Sequence, residues 1–228
     1  MKNHPARAQS QTAKRILVVD DHPLTRHGLG QLLNSESDLT VCGEAETAPQ
    51  ALSLAASLRP DLVIADITLP SKSGLEFIKD MKALNPEIPV LVLSMHDENI
   101  YAGRALRAGA RGYVMKCEDG QNVLTAIRQV LLGRIYVSKE LSLNLVNHYI
   151  GNNPARDGGT LSDLTDREFE IFELIGQGLS TAEIGRRLCI SAKTVETHRI
   201  HLKEKLKLRT SIDLTSHAVR WATSNQLT

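Results

Sequence analysis

The sequence predicts a doubly wound α/β domain on a five-stranded parallel sheet, followed by an all-α four-helix domain containing a helix-turn-helix. Three observations predict it. Between residues 15 and 133, five short apolar runs alternate with five amphipathic stretches. A breaker-rich segment comes next, Gly151-Asn152-Asn153-Pro154-Ala155-Arg156-Asp157-Gly158-Gly159. Beyond it strand signals cease, and helix starts marked by capping residues take over.

The strand-like runs are Ile16–Val19, Leu39–Cys42, Leu62–Ala65, Val90–Leu93 and Tyr113–Met115. Three of them are continuously apolar rather than alternating, which means burial on both faces, as in a parallel sheet covered by helices. Helical periodicity falls near 23–34, 48–58, 74–84, 98–108 and 120–132, and five βα units in succession specify the doubly wound architecture. Residues 134–150 carry one more amphipathic pattern, on Leu141, Leu145, Val146 and Tyr149. The breaker-rich segment then reads as a linker.

In the remaining segment, Thr165 followed by Glu168, and Ser180 followed by Glu183, are capping-box patterns. Gly178 stands where the first of these helices must stop. Ser191 caps a third helix running to about Leu206, and a fourth spans roughly 211–224. Only Cys189-Ile190-Ser191 joins the second and third, which is a helix-turn-helix arrangement. The expected organisation is therefore a tail over 1–14, an α/β domain over 15–133, a linker with a helix over 134–160, and a helical domain over 161–228.

Composition narrows the function classes. With 42% hydrophobic and 23% charged residues the chain is neither disordered, collagenous nor a disulfide scaffold. No apolar run approaches the roughly 20 residues that span a bilayer, so no membrane role is expected. The three cysteines, Cys42, Cys117 and Cys189, lack metal-ligand spacing and read as buried free thiols of a cytoplasmic protein. The net charge of +1 is uninformative, but its distribution is not. Between Arg186 and Arg209 eight cations face two carboxylates, a local charge of +6, which favours an anionic partner.

The chemistry emerges at the carboxyl end of each strand. Val19 is followed by Asp20 and Asp21, Ala65 by Asp66, Leu93 by Ser94, and Met115 by Lys116. Open parallel sheets bind ligands at the carboxyl ends of their strands, so three carboxylates, a hydroxyl and an ammonium should meet on one edge. Close carboxylates resist joint ionisation unless a cation joins them. Hard oxygen donors with an incomplete shell suit Mg²⁺, often completed by phosphate oxygens. A carboxylate can also be the nucleophile of an aspartyl-phosphate, with lysine and hydroxyl neutralising and binding the phosphoryl oxygens. His22, next to the acid pair, reads as a helix-start residue, because one imidazole among carboxylates does not favour a transition metal.

Residues 15–133 resemble a receiver domain of the response-regulator superfamily, which has a flavodoxin-like fold. The motifs are Val18-Val19-Asp20-Asp21-His22, Asp66-Ile67-Thr68-Leu69-Pro70 with Gly74, Leu93-Ser94-Met95-His96, and Gly109-Ala110-Arg111-Gly112-Tyr113-Val114-Met115-Lys116. The resemblance implies that Asp66 accepts a phosphoryl group from a sensor histidine kinase. It implies Mg²⁺ on Asp21, Asp66 and the Thr68 carbonyl, with Asp20 assisting through water, and phosphoryl contacts from Ser94 and Lys116. Tyr113 matches the aromatic that changes rotamer during switching. Ser94 stands where many receivers have threonine, a familiar alternative. No separate enzymatic turnover is implied beyond assistance to the domain's own phosphorylation and dephosphorylation. An aspartyl-phosphate phosphatase fits less well, since its acid pair is spaced Asp-x-Asp and its nucleophile belongs to the first strand. A receiver fold used only as an unphosphorylated binding module would not need all five residues.

In the third helix of the helical domain, Val195, Leu202 and Leu206 form a core-facing stripe with His198 near it, while Glu196, Thr197, Ile200 and Lys203 face away. Residues 161–224 resemble the LuxR-type helix-turn-helix domain of the NarL/FixJ class. They do so through Leu164-Thr165-Asp166-Arg167-Glu168, Ile175-Gly176-Gln177-Gly178-Leu179-Ser180, Glu183-Ile184, Ile190-Ser191, Lys193-Thr194-Val195-Glu196-Thr197-His198 and Lys205-Leu206. The resemblance implies a recognition helix in the major groove. Glu196, Thr197 and Ile200 would then face the bases, and Lys193, Thr194, Arg199 and Lys203 the phosphates. Some relatives carry lysines at the positions of Glu196 and Ile200, so the base sequence read here differs from theirs. It further implies promoter DNA as a partner, a homodimer on phosphorylation and RNA polymerase as a further contact. In this class the last helix, with Ile212, Leu214, Ala218, Val219 and Trp221, serves dimer contact, although core packing explains Trp221 equally well.

Overall fold

The computed structural model describes residues 13–70, 73–143 and 160–225. Residues 1–12 of the expected tail over 1–14, the breaker-rich segment 151–159 of the expected linker, and the Leu145, Val146 and Tyr149 part of the expected extra helix lie outside them. Two compact units divide between Val137 and Ser138.

The first unit runs β1 (Lys14–Val19), α1 (Pro23–Asn34), β2 (Leu39–Ala45), α2 (Ala48–Leu58), β3 (Leu62–Ala65), α3 (Gly74–Leu84), β4 (Val90–Ser94), α4 (Glu98–Ala108), β5 (Gly112–Met115) and α5 (Gly120–Leu131). The sheet is wholly parallel, in the order β2-β1-β3-β4-β5. Alternation along the strands sends Ile16, Val18, Leu62, Ile64, Leu91 and Leu93 to one face, where they pack with Leu29 and Leu33 of α1 and Val123, Leu124, Ile127 and Val130 of α5. Leu17, Val19, Val63, Ala65 and Val92 are equally buried and point to the other face, which α2–α4 cover. Burial on both faces is why these strands read as continuous apolar runs.

Three element ends differ from the sequence reading. β1 begins at Lys14, whose N–H donates to the Asp38 carbonyl at 2.8 Å and whose ammonium lies 3.0 Å from Asp61. β2 continues through Gly43 to Ala45, past a register shift between Ile16 and Leu17 of its partner strand, which disguises the alternation. Beyond α5 the chain returns to the sheet. Tyr136 bridges Gly112, its N–H donating to the Arg111 carbonyl at 3.0 Å, so residues 134–137 belong to the first unit. A single bridging residue leaves no periodicity to read.

The second unit contains a helical segment over 139–143 and a 3₁₀ turn, Leu161–Asp163, followed by α6 (Asp166–Gly176), α7 (Thr181–Arg187), α8 (Ala192–Lys205) and α9 (Ser211–Asn225). Both expected capping boxes are formed. The Thr165 N–H donates to Glu168 at 2.8 Å and the Ser180 N–H to Glu183 at 2.8 Å, with both hydroxyls accepting from the third helical N–H. Gly178 takes φ +83°, the left-handed conformation that ends α6 and that a side chain would disfavour. Phe169, Ile171, Phe172 and Ile175 from α6 form the core with Ile184, Val195, Leu202, Leu206, Leu214 and Ala218. Trp221 packs edge-on to Phe169 at 5.5 Å and near Phe172 at 5.6 Å, so its ring belongs to this core.

Candidate functional site

The strand order reverses at β1, the point from which β2 and β3 lie to opposite sides, and such a switch point leaves a crevice beyond the strand ends. Asp20 follows β1 and Asp66 follows the adjacent β3. The Asp66 N–H donates to the Val19 carbonyl at 2.8 Å, which continues the ladder one step past the strands and brings the two acids side by side. At the end of β5, the Lys116 N–H donates to the Ser94 carbonyl at 2.8 Å, and its ammonium reaches back across the crevice. It lies 2.6 Å from Asp20 Oδ2 and 2.8 Å from Asp66 Oδ2. All three side chains are less than a tenth exposed, so the charges compensate one another away from water. Burial works against the charged form of Lys116, but the hydrogen bonds and charges of the two carboxylates outweigh it and hold the ammonium above its usual range.

Asp21 completes the acidic group at the mouth, one-third exposed. One ligand atom each from Asp20, Asp21, His22 and Asp66 falls within 4.8 Å of the others. Asp21 Oδ1 is shielded from solvent and accepts no hydrogen bond. His22 Nδ1 lies 2.8 Å from it but outside hydrogen-bonding geometry, its hydrogen-bond contact being to Asp20 Oδ1 at 3.2 Å. Three carboxylates, one with a shielded oxygen that accepts no hydrogen bond, are a donor set that suits a hard cation. His22 also occupies the N-cap position of α1, without a side-chain cap bond and with Pro23 in the first turn, as the sequence reading expects of a helix-start histidine.

Two loops frame this pocket. The Thr68 N–H donates to Asp66 Oδ1 at 3.1 Å, and the Thr68 hydroxyl lies 2.8 Å from His96 Nε2, linking the loop after β3 to the loop after β4. Gly74 lets α3 approach that loop: a Cβ there would stand 2.5 Å from Ile67 Cα and 2.6 Å from the Asp66 carbonyl oxygen. Ser94 is fully buried, and its hydroxyl accepts from the His96 N–H at 3.2 Å. Tyr113 is also fully buried, its hydroxyl donating to the His96 carbonyl at 2.8 Å, so the expected switch aromatic sits inward in this structure. Burial raises the Tyr113 phenol far above its usual range, with Asp66, Asp97 and Glu98 adding to the effect and Ser94 opposing it. Burial likewise holds the His96 imidazole below its usual range, with Lys116 adding to the effect and Asp66 opposing it.

Arg26, which the sequence reading passed over, and His96, which it quoted in a motif without a role, are positioning residues. Arg26 is buried on α1, donating to the Asp20 carbonyl at 2.6 Å and to Glu46 at 2.6 Å. The signal was present: Arg26, Leu29 and Leu33 share a helical face, and a cation at a core-facing position requires a buried partner.

In the second unit, α8 rests on Val195 and Leu202, both fully buried, and turns Lys193, Thr194, Glu196, Thr197 and Ile200 outward. Ile200 is 50% exposed, an apolar side chain surrounded by polar ones. Glu196 is held from the side, the Thr181 hydroxyl donating to its Oε1 at 2.6 Å. Lys203 is half-buried, and Arg199 keeps only 14% of its side chain exposed, 3.8 Å from Glu196. Cys189, in the turn before α8, adopts φ +54°. The expectation of buried thiols fails: Cys117 and Cys189 are exposed and Cys42 intermediate, because two lie in turns and the third at the register shift of β2.

Comparison with known proteins places these observations. Residues 16–128 match the model of the response regulator receiver domain, and residues 162–218 that of the bacterial regulatory proteins of the luxR family. The chain is 32% identical over 211 residues to the oxygen regulatory protein NreC of Staphylococcus carnosus, covering 90% of this chain and 97% of that protein. It resembles the crystal structure of a LuxR-family two-component response regulator from Aurantimonas sp. SI85-9A1, with TM-score 0.57 and 32% identity over 61% of this chain and 99% of the other. RcsB from Salmonella enterica serovar Typhimurium, bound to promoter rprA with a phosphomimetic, shares the fold at TM-score 0.68. It is 22% identical, covering 91% of this chain and 99% of that one.

Proposed function

The chain belongs to the response-regulator family, joining a receiver domain to a LuxR-type DNA-binding domain, and we propose that phosphorylation of Asp66 is what switches it. It is a two-component response regulator acting as a transcription regulator. Such proteins are not enzymes in the ordinary sense.

The observation that carries the assignment of Asp66 is its buried carboxylate, paired with Lys116 at 2.8 Å at the end of β3. An Asp66 oxygen attacks phosphorus. An O–P bond forms as the P–N bond to the phosphohistidine of a sensor kinase breaks, and the imidazole leaves with the electron pair. Asp21, Asp66 and the Thr68 carbonyl would hold Mg²⁺, with Asp20 assisting through water. When bound, the cation neutralises charge developing on the phosphoryl oxygens. Lys116 and Ser94 take the remaining oxygens, and Lys116 must loosen its hold on Asp20 and Asp66 to do so. That change alters the β4 and β5 ends, where Tyr113 and His96 are joined, and so reaches the α4–β5 surface. We assign homodimerisation to that surface.

The helical domain then reads promoter DNA in the cytoplasm. Lys193, Thr194, Arg199 and Lys203 are the proposed phosphate contacts and Glu196, Thr197 and Ile200 the proposed base contacts, with RNA polymerase the further partner. Ile200 suits a thymine methyl. The solved RcsB structures include dimers on DNA, which supports a two-fold arrangement with recognition helices about 34 Å apart. The test is labelling of the chain by acetyl phosphate with Mg²⁺, together with size-exclusion chromatography with and without beryllofluoride. The expected result is stoichiometric, hydroxylamine-sensitive label and a shift to dimer. Absence of label would remove the proposed switch.

A further inference from the structure

Where α6 packs against α8 lies a second group of side chains of metal-ligating type. Glu168 comes from the first turn of α6, and His198 and His201 are three residues apart on α8, hence neighbours on one face. One ligand atom from each falls within 4.8 Å of the others. Glu168 is 5% exposed, and its two oxygens are used unequally. Oε2 accepts from the Lys205 ammonium at 2.6 Å and from the Thr165 N–H at 2.8 Å. Oε1 points toward His201 Nδ1, 3.8 Å away, too far for a hydrogen bond. His198 Nδ1 is shielded from solvent and makes no hydrogen bond at all. The two imidazoles meet edge to face with centroids 6.3 Å apart.

We infer that Glu168, His198 and His201 form a binding site for a divalent transition metal of the zinc class, clamping α6 to α8. Two imidazoles and one carboxylate are a ligand set that Zn²⁺ accepts, a water completing four-coordination. Nitrogen donors separate this site from the all-oxygen preference of Mg²⁺ and Ca²⁺. The donors are ready for it. Lys205 and Thr165 fix the carboxylate through its other oxygen, the kind of outer support that metal ligands require. The orphaned His198 Nδ1 would gain the partner it lacks. Closing the three donors onto one ion needs movement of His201, whose side chain is half exposed.

The test is titration of the full chain with Co²⁺, a visible-absorbing stand-in for Zn²⁺, in excess Mg²⁺ to occupy the acidic pocket. One equivalent should produce ligand-field bands of a nitrogen- and oxygen-bound ion. His201→Gln, at a half-exposed position, should weaken binding at least about a hundredfold, since losing even an outer-shell support costs 10–100-fold. His22→Gln should leave the signal intact. Trp221, the single tryptophan, packs on Phe169 beside Glu168 and reports melting of this unit. Zn²⁺ at about a hundredfold excess over its Kd should raise that midpoint by about 10 °C or more, and only when His201 is present. Unchanged binding in His201→Gln, loss of the bands in His22→Gln, or no saturable signal would each overturn the assignment.

Discussion

The acidic pocket and the DNA-reading face are built by opposite rules. In the pocket, residues up to 96 positions apart, from Asp20 to Lys116, meet at four strand ends, and nearly every polar atom is held by a named neighbour. On α8 the outward residues are consecutive or nearly so and stand in solvent, and their bonds are to near neighbours: Thr181 to Glu196, Ser191 to Thr194, and the Thr197 hydroxyl to the Lys193 carbonyl. The pocket must hold charge in place before a phosphoryl group arrives, because preorganised charge costs no rearrangement at the moment of reaction. The proposed DNA face needs only its far side fixed, by Val195 and Leu202, and leaves its long side chains in solvent. Substitutions in the pocket should therefore act all-or-none on one reaction, whereas those on the helix should act in graded steps.

The largest expected effect is in the pocket. Asp66→Asn removes the nucleophile and should abolish labelling by acetyl phosphate while leaving DNA affinity of the unphosphorylated chain unchanged. Acid-stable, hydroxylamine-sensitive label surviving in that variant would move the site elsewhere and dissolve the contrast. On the helix, Thr197→Ala should cost about 1–3 kcal/mol at one base pair of the preferred site, seen as relaxed preference in a binding-site selection. If it instead weakened all sequences alike, α8 would be rotated about its axis from the orientation proposed.

Between these extremes lies the support of α8. Lys205→Met should destabilise the helical unit by about 1.5–3 kcal/mol, by stranding the Glu168 carboxylate that Lys205 now meets at 2.6 Å. The pH dependence arises from Glu168. Burial opposes its ionisation, but Lys205 and the Thr165 groups prevail and hold its pKa below the usual carboxylate value. A depressed folded-state pKa contributes stability that is present above the unfolded value, about 4.3, and lost as pH falls through the folded one. Trp221 fluorescence should show that loss below about pH 4, and Lys205→Met should flatten it; an unaltered acid limb would show that the pair contributes nothing. The smallest effect is expected at the phosphate contacts. Lys203→Ala should lower the salt dependence of DNA binding by about one unit for the phosphate lost. Arg199→Ala tests whether a side chain only 14% exposed can turn outward, and a change in slope equal to that of Lys203 would show that it does.

How far each region could be read in advance obeys the same division. The five strands and the five helices of the first unit were legible because burial on both faces writes itself as uninterrupted apolar runs and 3.6-residue periods. Asp20, Asp21, Asp66, Ser94 and Lys116 were legible because each directly follows, or ends, such a run. The capping boxes of α6 and α7 needed only a three-residue spacing. Less was visible where contacts are long-range and irregular. The 3₁₀ turn at Leu161–Asp163 has its own box, the Thr160 N–H donating to Asp163 at 2.9 Å, and precedes no apolar pattern; the start of α9 pairs Thr210 with Asp213 at 2.9 Å, a cap the sequence reading left out although it read the helix. The exposure of Cys117 and Cys189 was likewise hidden, since a thiol in a turn is set by backbone direction rather than by its own hydropathy.

Local periodicity and strand-end chemistry by themselves determined the architecture, the acidic edge and the helix proposed to face DNA, because those features depend on residues near in sequence and on one general rule about sheets. Only the tertiary structure decided that Lys116 bridges Asp20 and Asp66, that Arg26 pins the Asp20 backbone, that Tyr113 sits inward against His96, and that Glu168 meets two histidines. These depend on the order of strands, on helix rotation and on which oxygen of a carboxylate is already taken. Such distances of a few ångströms are set by packing between distant segments, and no periodicity along the chain encodes them.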